Sequence, residues 1–362
     1  MSVDRPAALL GLRPERVCLI KPSSLGDVVH ALPVLSALRV LWPEAHFSWV
    51  VNRGLRGLLD GHPDLDEVIP FDRSKAKLTP GGIASISRFL LDLRRRRFDL
   101  VVDLQGLLRS GVMAGASGAP IRVGLSDARE GAGYFTTHQV PTPGPESHAV
   151  DRLLKVAEAF GADISRPSFR AAIGPEDARW AREILSPLPR PVLALNVGAR
   201  WLTKRWPPEH FAEVGRRAVE ERGAGLVLVG APEDRPLVDA LKVGLGPIEA
   251  LDLCGQTSLP RLAAVAEEVD VFLSNDTGPL HLAAATGTRV VGVYTCTSPA
   301  RTGPYGVNAV AVTSCVWCAP SFVRTCPRLE CMAELTPDRV WRAVEAQLDA
   351  GSPVPSCRVG EG

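Results

Sequence analysis

Apolar positions along the chain fall into two rhythms. Short, near-continuous runs rich in Val, Leu and Ile alternate with longer stretches in which apolar residues return every three or four positions. The first rhythm marks buried strands and the second amphipathic helices. In the first half the pattern predicts strands over 17–21, 47–51, 67–70, 100–103 and 121–125. Helices are predicted over 28–41, 82–97, 110–116 and 149–160. Apolar strands that alternate with helices argue for a parallel sheet covered on both faces.

Residues 161–191, "GADISRPSFRAAIGPEDARWAREILSPLPRP", are rich in proline and small residues around one short helix, the composition of a linker region. The alternation then restarts. Strands are predicted over 192–196, 226–229, 251–253, 271–274 and 290–294, with helices over 208–221, 237–243, 260–267, 279–286 and 337–348. The organisation expected is two doubly wound α/β halves, 1–175 and 176–336, followed by a C-terminal helix and tail, 337–362. The tail "GSPVPSCRVGEG" is expected to be loosely ordered. Open sheets of this kind bind ligands at the carboxyl ends of their strands. Two such halves facing each other would make a cleft.

Length supports two domains, since 362 residues exceed the roughly 150 of one domain. A hydrophobic content of 46% with 22% charged residues is that of a globular protein with sizeable cores. The net charge of +1 leaves no global field for nucleic acid or an anionic bilayer, so an anionic partner must meet a local basic patch. No apolar run reaches the length of a spanning helix, and the first residues, "MSVDRPAALLGLRPER", do not read as a signal peptide. A cytoplasmic location is expected.

Three strand-to-helix turns carry the chemistry. "KPSSLGDVVHALPVL" places Asp27 just after the first strand, where a carboxylate serves either catalysis or helix capping. Ser23 and Ser24 suit capping, and Gly26 gives room for close backbone approach. "SNDTGPLHLAAATG" ends a strand and begins a helix near Pro279, so the backbone N–H groups of the turn make an anion site suited to phosphate. Asp276 there suits ribose hydroxyls or neighbouring amides, or it caps the helix with Thr277. "NVGARWLTKRWPPEHF" sets Lys204 and Arg205 beside a further helix start, as a diphosphate clamp or as a solvated basic turn. Neither G-x-x-x-x-G-K-[ST] nor G-x-G-x-x-G follows the first strand, which weakens two common nucleotide-binding readings.

Taken together, these runs resemble glycosyltransferase family 9, the heptosyltransferases of lipopolysaccharide core assembly. "KPSSLGDVVHALPVLSALR" is similar to the family's N-terminal signature and "NDTGPLHLAAATGTRVVGVYTCTSPARTGPYG" to its C-terminal one. "FDLVVDLQGLLRSG", "IRVGLSDARE" and "HAVDR" are also similar to family segments, the last two leaning toward members that add the first heptose. The resemblance runs from about Val17 to Val340. It implies a GT-B architecture of two Rossmann-like domains, the first binding the acceptor and the second the nucleotide sugar. It implies inverting transfer from an ADP-heptose-type donor to a lipid-linked core oligosaccharide, with no cofactor for catalysis and peripheral contact with the inner membrane.

Residue by residue, the resemblance makes Asp27 the general base and Lys204 the lysine on the donor's phosphates. Asp276, Thr277, Gly278 and His281 match the donor-binding turn, joined by Asn196. Glu233, in "GAPEDR", matches an acidic residue that grips the nucleoside. A carboxylate base opposite the leaving group and a cation beside the departing diphosphate are what inversion requires. The chain departs from the pattern at Thr295-Cys296-Thr297-Ser298, where relatives often read Gly-Pro-Thr-Asp. It also offers Ala199 and Arg200 in place of a threonine pair, so Arg200 joins the candidate phosphate contacts.

Acceptor candidates are Arg109, Arg122, Arg129, His148 and Arg152, in loops after strands or in the family-like segments. The basic run 94–97 ends a helix, where it compensates the dipole. Cys315-x2-Cys318-x7-Cys326-x4-Cys331 is read as a candidate structural zinc set or as four free thiols. The competing readings are a sugar-nucleotide epimerase of the same fold, a transferase of another sugar or acceptor, and a non-catalytic nucleotide-sugar sensor. Nucleic-acid binding lacks a basic, aromatic-rich face.

Overall fold

The computed structural model describes residues 9–72 and 79–350. The chain divides into two compact units, Met1–Ala172 and Ile173–Gly362. In the first unit the order is β1 (Arg16–Ile20), α1 (Leu25–Leu41), β2 (His46–Asn52), β3 (Glu67–Phe71), α2 (Pro80–Arg95), β4 (Leu100–Asp103), α3 (Leu108–Ser117), β5 (Ile121–Leu125), β6 (His138–Val140) and α4 (Ala149–Ala159). The strands form one sheet in the order β3-β2-β1-β4-β5-β6, all pairs parallel. Central β1 pairs Cys18 with Ser48 on one side and Val101 on the other. Its Val17, Cys18, Leu19 and Ile20 are at most 1% exposed, because helices cover both faces. Burying an aliphatic side chain of this kind contributes about 1.5–3 kcal/mol.

The second unit opens with α5 (Pro175–Leu185), within the stretch read as a linker. There follow β7 (Val192–Asn196), α6 (Pro208–Arg222), β8 (Gly225–Val229), α7 (Arg235–Leu245), β9 (Leu251–Asp252), α8 (Leu259–Glu268), β10 (Val271–Asn275), α9 (Gly278–Ala285), β11 (Arg289–Tyr294), α10 (Pro299–Thr302), β12 (Ala309–Thr313), α11 (Glu330–Glu334) and α12 (Pro337–Asp349). The order β12-β11-β10-β7-β8-β9 repeats the first sheet's winding, again all parallel. Helix α5 docks on α8 through Arg261, whose guanidinium lies 4.6 Å from the Trp180 ring. Helix α12 packs on α6 and β11 and adds buried Val340, Trp341 and Val344 to the second core. Tail residues 351–362 lie outside the described residues.

All ten predicted strands are present, and each sheet has one more. The extra strands, β6 and β12, are edge strands. β6 is three residues, two of them polar, too short to show an apolar run; β12, Ala-Val-Ala-Val-Thr, does carry one but is only half-buried along its length, and the sequence reading passed over it. In both sheets the winding reverses between two central strands, β1 and β4 or β7 and β10. Ligands of doubly wound sheets bind in the crevice outside such switch points. Among the described residues no helix is long and apolar enough to cross a membrane.

Candidate active site

The switch point of the first unit is lined by the turn after β1 and the turn after β4. Helix α1 begins at Leu25, three residues earlier than the apolar spacing predicts, so Asp27 lies in its first turn. The Ser24 N–H and hydroxyl each donate to Asp27 Oδ2 at 2.8 Å. The carboxylate thus holds the turn as a cap, at the positive end of the helix dipole. Oδ1 is not engaged by Ser24, and the half-buried Asp27 keeps that oxygen for other partners. Gly26 is buried, and the Ser23 N–H donates to Gln105 Oε1 at 3.4 Å, tying the two turns together.

Two ionisable groups here escaped the sequence reading. Lys21 ends the β1 run, 7% exposed, and its ammonium donates to the Leu104 carbonyl at 2.8 Å. Burial lowers its pKa, the carboxylates of Asp27 and Asp103 oppose that shift, and Arg152 and Arg129 add to it. Asp103, at the end of β4, accepts from the Gln105 and Gly106 N–H groups at 2.9 and 3.0 Å and from the Ser110 hydroxyl at 2.9 Å. Burial raises its pKa against those bonds and Lys21. The signal was present in "KPSSLGD" and "VVDLQG". A lysine or aspartate closing an otherwise apolar strand is a buried charge that needs a partner.

The same electrostatic neighbourhood contains two acceptor candidates, Arg129 and Arg152, which together with Asp27 and Asp103 act on Lys21. Arg152, on α4, forms an ion pair with Asp127. His148 caps α4, accepting from the Val150 N–H at 3.1 Å, and its ring meets buried His30 edge-on at 5.4 Å. Arg109 lies in the first turn of α3. Arg122 points its guanidinium at the carbonyls of Phe135 and Ala119 and so holds local backbone. Arg96, within the basic run, pairs with Glu67 at 2.5 Å and Asp92 at 3.0 Å, so its guanidinium is engaged by carboxylates.

In the second unit the turns after β7 and β10 meet through a polar network. Asn196 donates to the hydroxyls of Ser274 and Thr277 at 2.8 and 3.1 Å. Asn275 accepts from the Trp206 N–H at 3.1 Å and donates to the Val197 carbonyl at 2.9 Å, pinning the Lys204 turn to the β10 end. Lys204 Nζ lies 2.6 Å from Asp276 Oδ2, and the Thr297 hydroxyl donates to the same oxygen at 2.6 Å. His281 Nε2 is 3.5 Å from Asp276 Oδ1. Burial of Asp276, 4% exposed, favours protonation. The hydrogen bond from His281 and the Lys204 ammonium outweigh burial and hold the carboxyl well below the usual carboxylate range. Tyr294, buried beside Asp276, is pushed well above the usual phenol value by burial and by that carboxylate.

Thr277 precedes α9 in extended conformation and Gly278 begins the helix, so the N–H groups of the turn stand at a helix start as the sequence predicts. Asp276 acts as the counter-charge of Lys204, a partnership the sequence reading did not foresee. Glu233 is exposed in the turn after β8. Its neighbour Asp234 lies against Gly198, where an added Cβ would come within 2.2 Å of the carboxylate. Arg200 is exposed, and Arg205 donates to the Ala199 carbonyl at 2.6 Å.

The cysteine-bearing loop after β12 packs beside this site. The Thr203 hydroxyl donates to the Val323 carbonyl at 2.6 Å, and the Phe322 N–H donates to the Cys296 carbonyl at 2.9 Å. Cys296, Cys318 and Cys326 lie near enough to Cys331 that, after burial, they raise its thiol pKa. Cys315 lies instead beside Arg339 and the Thr313 carbonyl. Four thiols suit zinc by their chemistry. Among the described residues, however, no group of three or more His, Cys, Asp or Glu is arranged to hold a metal ion.

Comparison with known proteins gives these sites a context. Residues 86–332, more than half of the chain, match the family described as Glycosyltransferase family 9 (heptosyltransferase). The chain is 31% identical over 359 residues to lipopolysaccharide heptosyltransferase 1 of Pseudomonas aeruginosa, covering 92% of this chain and 98% of that protein. It is 28% identical over 295 residues to the lipopolysaccharide core heptosyltransferase OpsX of Haemophilus influenzae, covering 81% and 82%. Among solved structures, the E. coli heptosyltransferase WaaC with ADP superimposes with a TM-score of 0.73 at 26% identity, over 92% of this chain and 99% of that one.

Proposed function

The chain belongs to glycosyltransferase family 9, a glycosyltransferase with the two-domain α/β fold of GT-B type, and from that premise we propose the reaction it performs. It transfers a heptose from an ADP-heptose donor to the inner core of lipopolysaccharide, with inversion at the anomeric carbon. The observation that carries this reading is the Lys204–Asp276 pair at the α9 start, a cation held by a buried carboxylate at the switch point of the second sheet. Such a site suits the diphosphate of a nucleotide sugar.

In the proposed step, Asp27 Oδ1 takes the proton from the acceptor hydroxyl as its oxygen bonds to the anomeric carbon. The bond from that carbon to the donor's β-phosphate oxygen breaks, and ADP leaves with the bonding pair. Lys204 and the N–H groups before α9 stabilise the charge that develops on the diphosphate. Asn196, Thr277 and Gly278 shape that turn, with His281 behind Asp276, while Arg200 and Glu233 are assigned to the outer donor. The acceptor falls to Ser23, Ser24, Gly26, Arg109, Arg129, His148 and Arg152, whose cations suit an anionic core sugar. A lipid-linked acceptor supports peripheral contact with the cytoplasmic face of the inner membrane.

No step is routed through a metal. Structural zinc on Cys315, Cys318, Cys326 and Cys331 is proposed on their spacing alone, and metal analysis of purified protein with and without chelator tests it. Absence of stoichiometric zinc ends that proposal. The reaction is tested with ADP- and GDP-activated sugars and a deacylated core acceptor, by measuring nucleoside diphosphate release and product mass. Release of ADP with a heptosylated acceptor is expected. Sugar conversion without acceptor would mark an epimerase, and preference for another donor or acceptor would replace the assignment.

A further inference from the structure

The donor-site lysine is already neutralised. Asp276 Oδ2 lies 2.6 Å from Lys204 Nζ, and the pair is largely buried. A departing diphosphate gains negative charge, so the site needs a cation whose charge is not already matched within the protein. One stands at the edge of the same cluster. The Lys204 ammonium lies 4.8 Å from the centre of the Trp201 ring, and the Arg324 guanidinium lies 5.1 Å from that centre. Arg324 is exposed and, among the described residues, has no carboxylate partner.

The backbone around Arg324 is fixed to the lysine turn. Val323, its neighbour, accepts from the hydroxyl of Thr203, the residue before Lys204. The Thr203 carbonyl in turn accepts from Thr295. Phe322 bonds to the Cys296 carbonyl and takes the Arg301 guanidinium 5.0 Å from its ring centre. The guanidinium therefore starts from a backbone tied on two sides to the loops around Asp276. A guanidinium held over the Trp201 ring face keeps its N–H donors, which lie around its own edge, available to an anion.

We propose that Arg324, carried on the loop between Cys318 and Cys326, is a second cation of the donor's diphosphate subsite. It engages the β-phosphate oxygens while Lys204, held by Asp276, serves the same group from the other turn. The inference rests on the donor reading above and adds to it a residue outside the family-like runs. The pairing also gives the cysteine-bearing loop a place in donor recognition.

The test is titration of ADP and of AMP into the intact protein and its Arg324→Ala, Arg324→Lys and Arg328→Ala variants. Arg328 lies just beyond Cys326, 3.8 Å from Glu330, and controls for loss of charge alone. Arg324→Ala is expected to weaken ADP by about tenfold or more, the size of one charge-assisted hydrogen bond to phosphate. AMP, lacking the β-phosphate, should change by less than about twofold, as should ADP binding to Arg328→Ala. Arg324→Lys should recover part of the ADP loss. Equal weakening of ADP and AMP would make the role structural and overturn the inference, as would ADP binding by Arg324→Ala that matches the unaltered protein. If the unaltered protein binds no ADP, the inference falls together with the donor reading beneath it.

Discussion

Asparagine at position 27 separates the two duties of that residue. Its side-chain oxygen still accepts from the Ser24 N–H and hydroxyl, so the turn before α1 keeps its cap. It no longer accepts a proton. Asp27→Asn is therefore expected to fold normally and bind ADP unchanged, with turnover reduced about 10²–10⁴-fold. Donor affinity falling in step with turnover would remove the base assignment. At Asp276 the expected effect is on stability. Its folded pKa lies below the usual carboxylate value of 3.8, so its stabilising contribution is complete above that value and is lost as pH falls through the lowered one. Asp276→Asn should cost about 1–3 kcal/mol in urea unfolding at neutral pH, a gap that stays level through mild acid and closes only in strong acid. A gap that closed near pH 6 would assign it to another group. At this scale the sequence showed which turns matter, because Asp27, Lys204 and Asp276 stand in polar breaks between apolar runs. It did not show that Asp276 would face Lys204, since the 71 residues between them hide that contact until β7 and β10 pair.

Strands and helices were far more legible than their edges. Each interior strand is flanked by two others and covered by helices, so most of its run is apolar, and periodicity finds it. β6 is too short and polar to give that signal, whereas β12 keeps an apolar Ala-Val-Ala-Val run although it is only half-buried, and was missed for its small side chains. The C-terminal helix was legible as a helix, but its partner was not. α12 buries Trp341, and the Leu335 carbonyl just before it accepts from Trp206 Nε1 at 2.7 Å. Trp206 lies two residues from Lys204, so the segment leading into the last helix braces the turn that carries Lys204. Trp341→Ala is expected to destabilise the protein by about 3–5 kcal/mol, as for a large core side chain removed without collapse. Denaturant unfolding checks this directly. A loss below about 1 kcal/mol would mean that α12 only covers the core of the second unit and does not build it.

For the molecule as a whole, the proposed reaction uses one winding twice for two chemical duties. It assigns the base to the switch point of the first sheet, and the diphosphate cations to that of the second. The two turns share a strand-to-helix form, yet charge divides them. The first collects Asp27, Asp103, Arg129 and Arg152 about Lys21. The second sets a neutralised lysine beside N–H groups at a helix start. A nucleoside diphosphate lacking its sugar therefore has reason to protect only the second. At ADP concentrations about 100-fold above its Kd, bound-state stabilisation reaches about 2.7 kcal/mol. Hydrogen exchange of the intact protein should then slow in residues 196–206 and 275–281 and remain largely unchanged in residues 21–27. In Lys204→Ala the same ADP concentration should slow exchange little, because one of the two cations assigned to the diphosphate is gone and Asp276 is left facing it unpaired, whereas Asp27→Asn should retain the full protection. Protection shared equally by the two turns would show that the diphosphate is not read by the second unit alone, and the assignment of base to one sheet and leaving group to the other would have to be redrawn.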